Sequence, residues 1–312
     1  MRSKSQTLWK ALVVAGILLI DAVWIAVSDF RFDTFSALKA VVLTGLCSIV
    51  AYIYHAKRPV RHLSVMCVET AILMAFSAAA AVLSYLVTSL DFPSVDAPLM
   101  RLDALLGFDW LAYAQYVGDH PWLGLLFSIT YLTTLAQVAC AVIILGVMED
   151  AKRAQHFVAA VMAGALACIL ISAVLPSAGA LATIKPADAI WKIHRPVVDL
   201  AYKQTFFDLR SGVDQWISFY SMKGLIAFPS YHGTLSILLV LAFSGVRFWF
   251  LPILILNTII LIATPIEGGH HLVDVIAGVG VALICWYGTG LFYKSGRAVA
   301  ARTISRPAMA TA

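Results

Sequence analysis

Two short pieces, Phe228-Pro229-Ser230-Tyr231-His232 and Glu267-Gly268-Gly269-His270-His271-Leu272-Val273-Asp274, decide how this chain folds. The first sits where a polar segment gives way to a long apolar run, and the second is wedged between two further apolar runs. About thirty-five mostly apolar residues separate them, enough for two membrane passes only if each helix is short. Two passes return the chain to the side it left. His232 is therefore expected to meet His270 and Asp274 at one membrane face.

Composition points the same way. Of 312 residues, 61% are hydrophobic and 12% charged, with mean hydropathy +0.89. A soluble domain carries roughly twice that charged fraction. The expected fold is all-α, a polytopic membrane bundle of about eight transmembrane helices, at 8–28, 35–54, 63–90, 122–147, 157–175, 232–246, 248–264 and 270–293. The net charge of +5 sits in the loops between these runs, so the expected partner is the lipid bilayer and not nucleic acid. All five cysteines fall inside apolar runs without a CxxC pair, which fits small apolar residues better than disulfides or metal ligands. The first run lacks a small-x-small site, so no cleaved signal peptide is expected.

Outward from the two motifs, the chain divides into three parts. Residues 1–121 hold three spans and an acidic stretch from Asp91 to Asp119, where Leu99, Leu102, Leu105 and Leu106 suggest an amphipathic helix in the interface. Residues 122–293 carry both motifs, with a long polar segment at 177–224. Residues 294–312 form a basic tail. Glu69, alone within the third span, is read as helix-facing or snorkelling. Lys and Arg gather at the N-terminus, at 55–62, near 149–155, at Arg247 and in the tail. That alternation predicts both termini in the cytoplasm and both histidine motifs on the opposite face.

His270 and Asp274 are four apart at the start of an apolar run, which on a helix puts both on one face. The carboxylate then fixes the imidazole tautomer and leaves the other nitrogen free to attack. His271 is rotated by about a quarter-turn and lacks such a partner at that spacing, which leaves His270 the better nucleophile candidate. Ser230 reads as a helix cap or an anion contact, because free N–H groups at a helix start favour anions. His232, in the first turn, would stand beside a bound phosphate and protonate a leaving oxygen. Taken singly, each histidine also fits an interfacial residue that bonds only backbone, and Gly268-Gly269 fits a tight turn.

At these residues the chain resembles the type-2 phosphatidic acid phosphatase superfamily, whose second motif is P-S-x-H and whose third ends in H-x-x-x-D. Pro229-Ser230-Tyr231-His232 matches the second, and His270-His271-Leu272-Val273-Asp274 the end of the third. The resemblance implies a six-helix-type core, His270 as a nucleophile forming a phosphohistidine, Asp274 as its partner and His232 as the leaving-group acid. Two departures stand out. Ala263 and Thr264 replace the Ser-Arg that opens the third motif, and Arg195-Pro196 is preceded at 188 by Asp instead of Lys. Both are shared by the branch that includes inositol phosphorylceramide synthase and sphingomyelin synthase, and the wider phrases around the motifs look like bacterial members of it. With the motif cation missing, Arg210, Lys223 and Arg195, in that order, are the candidate phosphate ligands.

The expectation is a lipid phosphotransferase or phosphatase, similar to inositol phosphorylceramide synthase. It would move a phosphoryl headgroup from a phospholipid to a lipid alcohol or to water, without metal or cofactor, on the extracytoplasmic face of a bacterial plasma membrane. Within enzymes the alternative is a polyprenyl- or phosphatidate-type phosphatase. In another class stands a lipid transporter or binding protein with a degenerate site, against which the intact His232, His270 and Asp274 speak. No feature of the sequence speaks to oligomeric state.

Overall fold

Long apolar runs become helices because lipid offers no partner to a bare backbone. The computed structural model describes residues 2–57, 60–184 and 194–304. In chain order its helices are α1 (Arg2–Ala26), α2 (Thr34–Tyr52), α3 (Arg61–Thr88), α4 (Asp96–Leu105), α5 (Trp110–Asp119), α6 (Pro121–Leu132), α7 (Thr134–Val147), α8 (Ala151–Val174), α9 (Ala180–Thr183), α10 (Ala201–Ser211), α11 (Tyr231–Ala242), α12 (Phe250–Glu267) and α13 (Leu272–Ile304). A five-residue π-helix, Ile53–Lys57, follows α2. The protein is an all-α integral membrane bundle.

Six of these helices, α1, α2, α3, α8, α12 and α13, are long and apolar enough to cross a membrane alone. The pair α6–α7, bent by 46°, makes a seventh span if it counts as one. The eighth expected span, at 232–246, is the 12-residue α11. At 1.5 Å per residue it is about 18 Å long, well short of a bilayer core of about 30 Å. It lies at the centre of the bundle against α8, α12 and α13.

Apolar side chains gather into two clusters. One fills the membrane core, with Phe76, Leu145, Phe157, Met162, Leu235 and Leu238 among its members. The other forms a layer at the end where the histidine motifs lie, built on Trp110, Val117, Phe127, Leu181, Phe206 and Ile217. Much of that layer comes from the stretch read in sequence as a polar segment. Tyr202, Phe206 and Leu209 of α10 are buried on one face at helical spacing, while the polar residues between them face outward. Burying Phe206 alone contributes about 2–3 kcal/mol.

Two residues of parallel pairing, β1 (Arg31–Phe32) with β2 (Trp216–Ile217), join the α1–α2 turn to this layer. Asp33 then caps α2 through the amides of Phe35 and Ser36, and its other oxygen accepts from Ser218 Oγ at 2.8 Å. Part of the basic loop (58–59), the region of Asp188 and Lys192, and the last eight residues of the tail lie outside the described residues.

Candidate active site

The two motifs meet. Ser230 ends an extended approach and caps α11, its Oγ accepting from the amide of Gly233 at 3.2 Å. Its amide donates to the carbonyl of Asp274 at 2.9 Å, and Thr234 Oγ1 donates to the Gly278 carbonyl at 3.0 Å. The starts of α11 and α13 are thereby stitched together. Such close contact requires glycine at 278, where a Cβ would stand 2.3 Å from the Ser230 carbonyl oxygen.

His270 does not lie on the helix, as the four-residue spacing had suggested; α13 begins at Leu272, and His270 belongs to the turn before it. Asp274, in the first turn, still reaches back to it. His270 Nδ1 is 2.9 Å from the Ala227 carbonyl and 3.4 Å from Asp274 Oδ2. With Nδ1 carrying the proton, Nε2 is left with its lone pair, 3.4 Å from Ser230 Oγ. Opposite stands His232. Its ring stacks on Tyr131 at 4.2 Å between centroids, with Nδ1 3.1 Å from the Tyr131 hydroxyl. A Cβ at Gly268 would meet both His270 Nε2, at 3.0 Å, and the Tyr131 hydroxyl, at 2.6 Å, so the two histidines border one small space.

His271 corrects the sequence reading. It is fully buried and held by two carboxylates, with Nδ1 3.2 Å from Asp103 Oδ2 and Nε2 3.7 Å from Asp96 Oδ1. Asp103 also accepts from the amides of Leu272 and Val273, at 3.1 and 2.9 Å, and so fixes the start of α13. Asp96 accepts from Ser177 Oγ at 2.6 Å and from the amides of Ala178 and Gly179, each at 3.0 Å. Burial pulls the His271 pKa down, but its hydrogen bond to Asp103 and the nearby Asp96 carboxylate outweigh this and push it up to about 9. Burial likewise works to raise Asp96, and the His271 ring beside it with the Ser177, Ser94 and backbone bonds wins, holding it below the usual carboxylate range. The clamp is thus a buried imidazole flanked by two carboxylates.

The expected phosphate cations fare unequally. Arg210, ranked first, spends its guanidinium on the carbonyls of Leu90 and Phe92 and on Asp91, where it pins the end of α3. Lys223 faces Asp199 at 3.6 Å. Arg195, ranked last, is exposed and follows His194, whose Nε2 lies 2.8 Å from Glu267 Oε1. Glu267 also accepts from the Val197 amide at 3.0 Å and from Ser128 Oγ at 3.1 Å. Its backbone carbonyl takes the Val198 amide at 2.9 Å. Segment 194–198 is thus sutured beside Gly268 and His270.

A family model, that of the PAP2 superfamily, matches residues 97–288. The chain belongs to the PAP2 superfamily. Neither a curated protein nor a solved structure matches it. Membership makes this integral membrane protein a phosphatase-type enzyme of lipid phosphates.

The PAP2 match takes in Asp103 and Tyr131 together with both motifs, and these are residues that sequence reading passed over. Asp96, Leu99 and Asp103 share the buried face of α4, whereas Leu102, Leu105 and Leu106 point outward. The signal existed in the i, i+3, i+7 spacing of two aspartates with a leucine. Reading the stretch as an interfacial helix turned its leucines to lipid and its aspartates to solvent, whereas Asp96 and Asp103 face a buried polar cluster. Tyr131 and the Glu267–His194 pair carried no local signal.

Proposed function

We propose that this protein transfers a phosphoryl headgroup between lipids through a phosphohistidine on His270. His270 Nε2 attacks phosphorus and forms a P–N bond, while the P–O bond to the departing lipid breaks and His232 gives that oxygen its proton. Burial and the neighbouring His270 hold the His232 pKa down to about 3, but it is protonated when the anionic phosphate stands beside it. An acceptor hydroxyl then attacks phosphorus, its proton passes to His232, and the P–N bond breaks to restore His270. Asp274 steadies the positive charge that develops on the imidazole. The observation that carries this reading is the His270 ring held at Nδ1 by Ala227 and Asp274, with Nε2 turned toward Ser230. Arg195 becomes the first candidate for the phosphate cation, since segment 194–198 docks beside the motif while Arg210 and Lys223 have carboxylate partners.

The preferred acceptor is a lipid alcohol, in keeping with the inositol phosphorylceramide and sphingomyelin synthase branch, where the motif arginine is also replaced; water is the alternative acceptor. The loop charges support an extracytoplasmic site with both termini cytoplasmic, and the resemblance to bacterial members of that branch supports a bacterial plasma membrane and 122–293 as the catalytic core. No step calls for a divalent metal, because His270, His232, Asp274, Arg195 and the amides at the start of α11 meet each charge of the transition state. The test is purified protein with a phospholipid panel, following released phosphate and new headgroup-bearing lipids, before and after exhaustive EDTA. Headgroup-bearing products that persist in EDTA support the reading. Phosphate alone makes it a hydrolase, and activity that vanishes with chelator and returns with magnesium overturns the metal-free step.

A further inference from the structure

At the end of the bundle away from the histidines, the shortness of α11 leaves a recess. α11 and α12 both have one end at the site, at Ser230 and Glu267, but they run for 12 and 18 residues. At 1.5 Å per residue, α12 extends roughly 9 Å further, and the turn 243–249 bridges the difference. Beside that turn lies a cavity of about 550 Å³. Its walls are apolar at Leu145, Met148, Val246 and Trp249, and Arg153 and Arg247 supply two guanidinium groups.

The two arginines differ in their commitments. Arg153 donates to Asp150 at 3.1 Å and to the carbonyls of Ala242 and Ser244 at 3.3 and 2.8 Å, closing the end of α11. Arg247 makes no hydrogen bond or ion pair among the described residues; its guanidinium only lies 5.8 Å over the Phe248 ring. The single carboxylate in the wall, Asp150, is taken by Arg153 Nε and by capping α8. No free carboxylate is left among the wall residues to pair with the ammonium of a zwitterionic headgroup. An arginine in an apolar recess at a membrane boundary draws a phosphate to itself.

We propose that this cavity binds the headgroup of an anionic phospholipid from the leaflet opposite the catalytic site, with Arg247 as the phosphate ligand. The apolar wall takes the glycerol and the first methylenes of the chains, and Trp249 stands at the rim. Arg153 shapes the recess and lends its charge.

The experiment uses full-length protein, delipidated in detergent and titrated with phosphatidylglycerol or phosphatidylcholine of the same acyl chains. Bound lipid is counted by native mass spectrometry and Tm followed in parallel. Phosphatidylglycerol is expected to bind saturably and raise Tm, and phosphatidylcholine to do neither. Arg247→Gln should weaken that binding about tenfold, as loss of a charge-assisted phosphate contact does. Arg247→Lys should keep part of it, and Lys39→Gln, near Tyr220 at the histidine end, should leave it unchanged. A lipid lodged in the catalytic site is common to all variants and drops out of the comparison. Equal binding of both lipids, an Arg247→Gln protein indistinguishable from wild type, or inorganic phosphate reproducing the Tm shift would each overturn the proposal.

Discussion

The pocket around His270 and the clamp around His271 lie side by side, and their polar groups are used in opposite ways. In the clamp, Asp96 and Asp103 reach across more than eighty and a hundred and sixty residues of chain to hold backbone amides as well as the imidazole. In the pocket, the contacts are looser. His270 Nε2 has only a 3.4 Å neighbour in Ser230, and Asp274 Oδ1 has no hydrogen-bond partner. The clamp leaves only His271 Nε2, 3.7 Å from Asp96, outside hydrogen-bond distance; a densely bonded polar cluster fixes geometry, whereas reacting atoms need unfilled bonding capacity. On the proposed mechanism, two adjacent histidines divide one motif between chemistry and support.

Substitution is the sharpest way to break that comparison. His270→Ala should lose turnover altogether while the fold, measured by thermal unfolding in detergent, stays near wild type. Asp274→Asn should cost at least tenfold in kcat, about 1.4 kcal/mol of barrier, because the carboxylate supports a charge that exists only during reaction. Asp103→Asn reverses the pattern. It strips an anion from a buried charged cluster and should destabilise by about 2–4 kcal/mol, with the surviving folded enzyme within a few fold of normal. His271→Tyr should follow Asp103→Asn. A stable but inactive His271→Tyr protein would move the chemistry to the wrong histidine.

A smaller effect comes from pH. The His271 pKa, raised to about 9 from an ordinary value near 6.5, makes a contribution to stability that is full below about pH 6.5. It is lost as pH rises through about 9. Asp96 works in the other sense, its contribution present above the ordinary carboxylate range and lost as pH falls through its lowered pKa. Wild-type Tm should therefore decline between pH 7 and 10 more steeply than that of His271→Gln. Parallel declines would mean that the imidazolium is not part of the clamp.

The membrane bundle and the meeting of the two motifs were legible because hydrophobic runs and the H-x-x-x-D spacing are local signals. What escaped was long-range. The polar stretch before Gly224 hid a buried face at Tyr202, Phe206 and Leu209, because the residues that pack on it, such as Trp110, Phe127 and Leu181, lie far away in the chain. The inward aspartates of α4 read as the solvent side of an interfacial helix. Arg210 looked like a phosphate ligand because sequence cannot show that its guanidinium is already taken by Leu90, Asp91 and Phe92.

The central claim, that His270 carries the phosphoryl group, is tested most directly by trapping it. Enzyme mixed with a lipid substrate radiolabelled at phosphorus is quenched within milliseconds in base, and the labelled peptide is located by mass spectrometry. The account predicts an acid-labile, base-stable adduct on His270, absent from His270→Ala and accumulating when the acceptor is withheld. Label on His271 or His232, or turnover with no adduct on any histidine, would contradict it.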